Sequence, residues 1–281
     1  MWNDHHNFGS SWGQSDSHLS WGDDVFARTP REPRERPIRP ERPDRPERPG
    51  GGGGENPAQA PGTYVSGDAS ISDANEYNVQ INFQGSWSTE LRAAFTAAAD
   101  AISDFILGDI PNVGTRRNAI DDIVITAKLM TIDGAGGILG QAGPDAVRGG
   151  SYLPSKGGME FDVADANAYQ AAGLFDDIVL HEMLHTVGFG TIWSSLGLIS
   201  GSSFNGALAN AVYPGSALIP LETGGGGGTA YSHWSEDVFT NELMTGYIDG
   251  DNTLSYMTIA SLGDLGYSTV SGASYVPPSF I

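Results

Sequence analysis

Two histidines, His181 and His185, stand four residues apart with Glu182 directly after the first. An α-helix turns about 100° per residue, so the two imidazoles point within roughly 40° of each other, one turn apart, and can share one ion. Glu182 falls about 100° round from His181 and about 60° from His185. That is too far round to join the same set of ligands, but near enough to hold a water beside the metal, the position of a general base. The spacing is that of a helical zinc site with a built-in base, suited to metal-assisted hydrolysis of a peptide bond. Such a pentapeptide also arises by chance in unrelated helices, so the histidine census matters. The chain has six histidines. His5, His6 and His18 lie in an N-terminal tail of unfolded character, which leaves His181, His185 and His233 as candidate ligands. A catalytic zinc takes three protein ligands and keeps one position open, and three histidines meet that need.

The helix carrying this motif has to bury part of its surface. Val179, Leu180, Met183 and Val187 fall within a stripe of roughly 100°, which predicts one buried face and one metal-bearing face, with Gly188 as a natural C-terminal cap. Upstream, Val79, Ile81 and Phe83 alternate with polar residues and predict a half-buried strand. From Leu91 onward, Phe95, Ala98, Ile102 and Phe105 recur at helical spacing behind the possible caps Ser88 and Thr89. Asp121 to Ile132 is rich in β-branched and apolar residues and reads as a second strand. Gly134 to Pro144 is glycine-rich but lacks the Gly-Lys-Ser/Thr of a phosphate loop, so a loop or edge strand is expected. Met159 to Val163 suggests another short strand, and Asp165 to Gln170 leads into the histidine helix. After Gly190 comes a long, helix-poor insertion with Gly224 to Gly228 in its middle, expected to be a flexible surface loop. Tyr256 to Leu265 predicts a closing helix. Asp249-Gly250-Asp251-Asn252 suits a surface turn; calcium is a further possibility there, although the spaced ligands and terminal glutamate of an EF-hand are missing. The order of elements, strands and a helix followed by the histidine helix, suits a mixed sheet with helices packed on it.

Composition divides the 281-residue chain. Residues 1–61 read as a low-complexity, disordered tail or linker. Their Pro/Arg/Glu repeat from Pro30 to Pro49 favours polyproline II, a spacer of about 60 Å, and Gly50 to Gly54 follow as a flexible joint. A removable pro-segment that blocks the metal through His5, His6 or Asp23 is the sharper alternative for this tail. Residues 62–281 suit one domain with a sizeable core. Eight of the 14 Lys and Arg residues (Arg28, Arg31, Arg34, Arg36, Arg39, Arg42, Arg45 and Arg48) sit in the tail, leaving six against most of the 34 acidic residues. So acidic a domain argues against nucleic acid or an anionic membrane as its partner. Cysteine is absent, which excludes disulfides and cysteine-zinc sites. The N-terminus lacks the basic start and apolar run of a signal peptide, and no apolar run reaches membrane-spanning length.

The run from His181 to Gly190, the distant His233-Trp234 and the segment Glu242-Leu243-Met244-Thr245-Gly246 together resemble the leishmanolysin-like zinc peptidases of the metzincin clan. Gly137 to Pro144 and Thr258 to Tyr267 extend the resemblance over most of Val79 to Tyr267. Most metzincins place a third histidine six residues after the second, where this chain has Thr191. The leishmanolysin branch carries an insertion there, and His233, 48 residues beyond His185, fits that variation. The resemblance implies that Met244 lies in a methionine turn beneath the metal. Where some metzincins have a tyrosine two residues after the methionine, this chain has Gly246, with Tyr247 one place further. The prodomain cysteine of eukaryotic members is absent.

The resemblance therefore implies an α+β domain with a twisted mixed sheet, an active-site helix and a C-terminal helical subdomain, and a zinc endopeptidase acting on proteins or peptides. Zn²⁺ would be held by His181, His185 and His233, and Glu182 would take a proton from water and pass it to the leaving amine. It further implies export, by a route without an N-terminal signal peptide. The alternative is a non-catalytic surface or matrix binding protein that retains the peptidase fold. An intact Glu182 weighs against it, since a binding site needs no base. Substrate preference and oligomeric state are not legible in the sequence.

Overall fold

The computed structural model describes residues 62–281 except 69, 116 and 137–138. The tail, with its Pro/Arg repeat, glycine joint and three histidines, lies outside the described residues.

A five-stranded mixed sheet forms the first half. Strand β1 (Thr63–Val65) pairs antiparallel with β2 (Val79–Gln84). Helix α1 (Thr89–Phe105) follows, and then β3 (Ile123–Met130), which runs parallel to β2. Next come β4 (Gly140–Val147) and β5 (Pro154–Asp162). The strand order is β1-β2-β3-β5-β4, with β5 parallel to β3 and β4 antiparallel to β5. The expected strand at Val79 and the helix behind Ser88 form where their patterns place them. Ser88 is the N-cap of α1, its side chain accepting from the Leu91 amide at 3.2 Å. The glycine-rich stretch supplies an edge strand, β4.

Strand β5 corrects an expectation. It starts at Pro154, five residues before Met159, because Lys156, Gly157 and Gly158 pair with β3 on one side while Gly157 and Gly158 pair with β4 on the other. Residues with low strand propensity take the strand conformation when ladders on both sides satisfy their backbones. Its far end is Asp162, whose side chain accepts from the Ala164 amide and caps helix α2 (Val163–Ala172). Gly173, with φ of 74°, ends α2 and separates it from the histidine helix α3 (Phe175–Thr186).

Helix α3 also departs from the two-faced picture. Every residue from Asp177 to Thr186 is buried, so no face meets solvent. The sheet and α1 cover one side, with Phe95, Phe161 and Phe175 in mutual ring contact at 5.5–6.3 Å between centroids. The insertion and the last third of the chain cover the other. A helix packed on all sides loses the one-sided pattern of a surface helix.

The remainder is built from short pieces. A second sheet joins β6 (Ile199–Ser200), β7 (Ser203–Phe204) and β8 (Ile219–Pro220), in that order, with α4 (Ala207–Val212) between β7 and β8. Then come α5 (Glu236–Phe239) and the closing helix α6 (Tyr256–Leu265), the latter with the bounds its pattern predicts. The insertion is thus not a surface loop throughout, although Gly224 to Gly227 are exposed. Trp193 and Phe204 from it are fully buried. They form an aromatic cluster with Phe189 and Trp234, adjacent centroids lying 4.6–5.4 Å apart. Each such pair contributes about 0.5–1.5 kcal/mol beyond the area it buries. The helices of the C-terminal part, α4, α5 and α6, are short and joined by turns and isolated bridges. Among the described residues no helix is long and apolar enough to cross a membrane.

Candidate metal centre

Helix α3 carries His181, Glu182 and His185 to the middle of the molecule and then stops abruptly. Gly188, with φ of 114°, follows the capping residue Val187. The amides of Gly188 and Phe189 bond back to the carbonyls of His185 and Leu184, each at 3.0 Å. This is a Schellman motif, in which a glycine adopts the left-handed conformation that a side chain would oppose. This turn fixes one of the candidate ligands directly, because the Phe189 carbonyl lies 2.9 Å from His185 Nδ1. Thr191, six residues after His185, donates its hydroxyl to the His185 carbonyl at 2.8 Å.

The insertion then has to return. Gly190, with φ of 71°, lets Ser232 approach so closely that a Cβ there would lie 2.2 Å from the Ser232 carbonyl oxygen. The next residue is His233. Its carbonyl accepts from the Glu222 amide at 3.0 Å, and the Trp234 amide donates to the Met244 carbonyl at 3.0 Å, so His233 is held in a small ladder between two neighbouring segments. Trp234 drops into the aromatic cluster beside Phe189, anchoring the returning chain against the end of α3. Gly246 packs against the same point: a Cβ would come within 2.3 Å of Thr229 Cγ2 and 4.0 Å of His233 Cγ.

These contacts bring the three histidines together. The Nε2 atoms of His181 and His185 are 2.9 Å apart, those of His185 and His233 2.9 Å, and those of His181 and His233 3.1 Å. Each ring turns its other nitrogen to a backbone carbonyl: His181 Nδ1 to Leu243 at 2.7 Å, His185 Nδ1 to Phe189 at 2.9 Å and His233 Nδ1 to Thr229 at 3.1 Å. A carbonyl can only accept, so each neutral ring carries its proton on Nδ1 and presents a bare lone pair at Nε2. Three lone pairs facing one another repel unless a cation lies among them. Histidines around a tetrahedral zinc at 2.0–2.1 Å stand about 3.3 Å from each other, close to the spacing observed. The donor set therefore fits a metal ion, and the carbonyl partners are those that orient metal-bound imidazoles elsewhere.

Burial reinforces the assignment of charge. All three histidines are at most 4% exposed. Desolvation first, and then the neighbouring imidazoles, hold His181 and His185 well below the usual histidine range. Desolvation brings His233 down to about 4, against the opposing pull of the Thr229 carbonyl and Glu222. All three are neutral near pH 7, the state in which imidazole binds metal. Glu182 is buried in the same helix, 1% exposed.

Met244 is fully buried directly after Leu243, whose carbonyl orients His181. Tyr247 is half-buried, and its carbonyl accepts from the Thr245 hydroxyl at 3.2 Å. At Asp249 to Asn252 the side chain of Asn252 closes a turn, accepting from the Asp249 amide and donating to the Asp249 carbonyl, both at 3.0 Å, and donating to Asp177 at 2.7 Å. One further group of side chains with metal-ligand types, Asp109, Asp121 and Asp122, occurs among the described residues. Asp122 there accepts from the Asn78 and Ile110 amides, and the Arg148 guanidinium binds the carbonyls of Asp121 and Asp122, a buried scaffold of hydrogen bonds.

Sequence reasoning missed the residues that orient the three histidines: Leu243, Phe189 and Thr229 act through backbone carbonyls, which carry no side-chain signal. The aromatic cluster did leave a trace, since large buried-type residues such as Trp193 and Phe204 are unexpected in a mobile loop.

Residues 154–274 match the family model for leishmanolysin, a peptidase family. The matched span begins with β5, passes α3 and the insertion, and continues beyond α6, so it contains all three histidines, Glu182 and Met244. A search of curated proteins found no match. Over that span the chain is similar to leishmanolysin.

Proposed function

We propose that the protein is a zinc-dependent endopeptidase whose ion is held by His181, His185 and His233 and whose general base is Glu182. The observation that carries this reading is the convergence of three bare Nε2 atoms within 3.1 Å, each ring locked from behind by a carbonyl. Zinc, when bound, supplies a Lewis acid that polarises a peptide carbonyl and makes water acidic enough to lose a proton near neutral pH. With the ion bound, Glu182 would take that proton as the water oxygen adds to the peptide carbonyl carbon, and would return it to the amine nitrogen as the C–N bond breaks. The three imidazoles stay neutral throughout, because burial opposes their protonation. Met244 forms part of the packed floor beneath His181.

Cleavage of casein or a quenched peptide should be abolished by a chelator and restored by added zinc. Glu182→Gln should retain zinc and lose about 10²–10⁴-fold in turnover. A chain that binds zinc yet cleaves nothing, with or without Glu182, would favour a binding protein that keeps the peptidase fold.

A further inference from the structure

Beyond the ligands and the base, one buried carboxylate reaches the supports of two ligands at once. Glu242 is 6% exposed and accepts four hydrogen bonds. Its Oε1 takes the Ser255 amide at 3.1 Å, the Ser255 hydroxyl at 2.7 Å and the Thr258 hydroxyl at 2.5 Å. Its Oε2 takes the Met244 amide at 2.6 Å. The carboxylate thereby ties the first turn of α6 to the segment that carries Leu243 and Met244.

Two routes lead from it to the metal centre. Along the first, Glu242 and the Met244 amide bracket Leu243, whose carbonyl holds His181 Nδ1. Along the second, Thr258 Oγ1 donates to Glu242 while accepting from the Trp234 indole at 2.8 Å, and Trp234 adjoins His233. The Met244 carbonyl also accepts from the Trp234 amide, which closes the loop between the two routes. Hydrogen bonds to a carboxylate are short and directional, so this junction leaves little freedom to either segment.

We propose that Glu242 is a positioning residue for the metal centre: through Leu243 it sets the orientation of His181, and through Thr258 and Trp234 the placement of His233. The inference rests on the three histidines holding a metal. Glu242 touches neither ion nor substrate, and it acts by fixing where two of the three Nε2 atoms point. Partners behind a metal ligand typically govern about 10–100-fold of metal affinity. In Glu242→Gln an amide can still accept at one oxygen, but its NH₂ meets either the Met244 amide or the hydroxyls of Ser255 and Thr258.

Zinc affinity, by competition with a chromogenic chelator, and the visible spectrum of the cobalt-substituted protein test this in the full chain. Four proteins are compared: wild type, Glu242→Gln, Thr258→Val and Asp162→Asn. Asp162→Asn removes a different buried carboxylate, the cap of α2, and serves as the control for general loss of stability. Glu242→Gln should bind zinc about 10–100-fold more weakly and shift the cobalt bands. Thr258→Val, which keeps shape and cuts only the route to Trp234, should do so to a smaller extent and carries the test if Glu242→Gln does not fold. Asp162→Asn should melt lower with wild-type affinity and an unchanged spectrum. Wild-type affinity and spectrum in both Glu242→Gln and Thr258→Val, or an equal loss in Asp162→Asn, would overturn the proposal while leaving the metal site standing. Failure of the wild type to bind zinc would overturn both.

Discussion

Gly190→Ala is a small change whose consequence should reach the metal. Gly190 has a φ of 71°, and an L-residue in the left-handed region costs about 1–2 kcal/mol. The added Cβ would also lie 2.2 Å from the Ser232 carbonyl oxygen and 2.9 Å from its carbon. Relief requires Ser232 to recede by about 1 Å, whereas metal-ligand distances hold to about 0.2 Å. His233, the next residue, cannot keep its place in the triad through such a shift. For a folded part of about 220 residues, 1–2 kcal/mol corresponds to a fall of about 2–8 °C in the Tm. Zinc affinity should fall by at least the 10–100-fold seen when ligand support is lost. Gly173→Ala separates the two effects, because Gly173 has nearly the same φ, 74°, and nothing within 4 Å of its added Cβ. It should lower the Tm alike and leave zinc affinity unchanged. The assay is a thermal melt of the chelated proteins beside chelator competition for zinc. If Gly190→Ala binds zinc as tightly as Gly173→Ala does, the close approach at Ser232 does not place His233, and this account of how the insertion returns is wrong.

His233→Ala should weaken zinc binding far more than Glu182→Gln, and equal zinc affinity of the two variants by chelator competition would remove His233 from the ligand set. Gly246→Ala should press on Thr229, whose carbonyl holds His233, and reduce both zinc affinity and peptide cleavage; full activity would show that Thr229 can yield without moving the ring. Acid should weaken the metal-free fold through His233: its pKa is about 4 folded against about 6.5 unfolded, so the unfolded chain binds the extra proton. That contribution is complete above pH 6.5 and is lost as pH falls towards 4, about 2–3 kcal/mol by pH 4.5. Asp122 and Asp177, raised by burial to about 7 and 6, act in the opposite sense, losing stability as pH rises. Urea melts of chelated wild type and His233→Asn at pH 7.5 and 4.5 isolate the histidine, and an unchanged difference between the two proteins would contradict its buried neutral state.

Much of this molecule is set by local chemistry. The spacing of His181, Glu182 and His185 is fixed once a helix forms, because 3.6 residues per turn leave the two rings no other relation. Ser88, Gly188 and the pattern of Tyr256 to Leu265 likewise act over a few residues, through caps and periodicity. What the chain alone left open was everything that depends on distant partners. Strand β5 extends back to Pro154 because two ladders satisfy it, a fact its glycines conceal. The insertion folds because Trp193, Phe204 and Trp234 meet across 41 residues of chain, and no periodicity encodes that meeting. His233 was nameable as a ligand from the histidine census and from resemblance, but its arrival beside His185 was decided by the Gly190–Ser232 contact, the Trp234 anchor and the Glu242 junction. Side-chain type announces what a residue can do chemically. Only long-range packing brings three imidazoles to one point and turns each by a carbonyl that has no signature in the sequence.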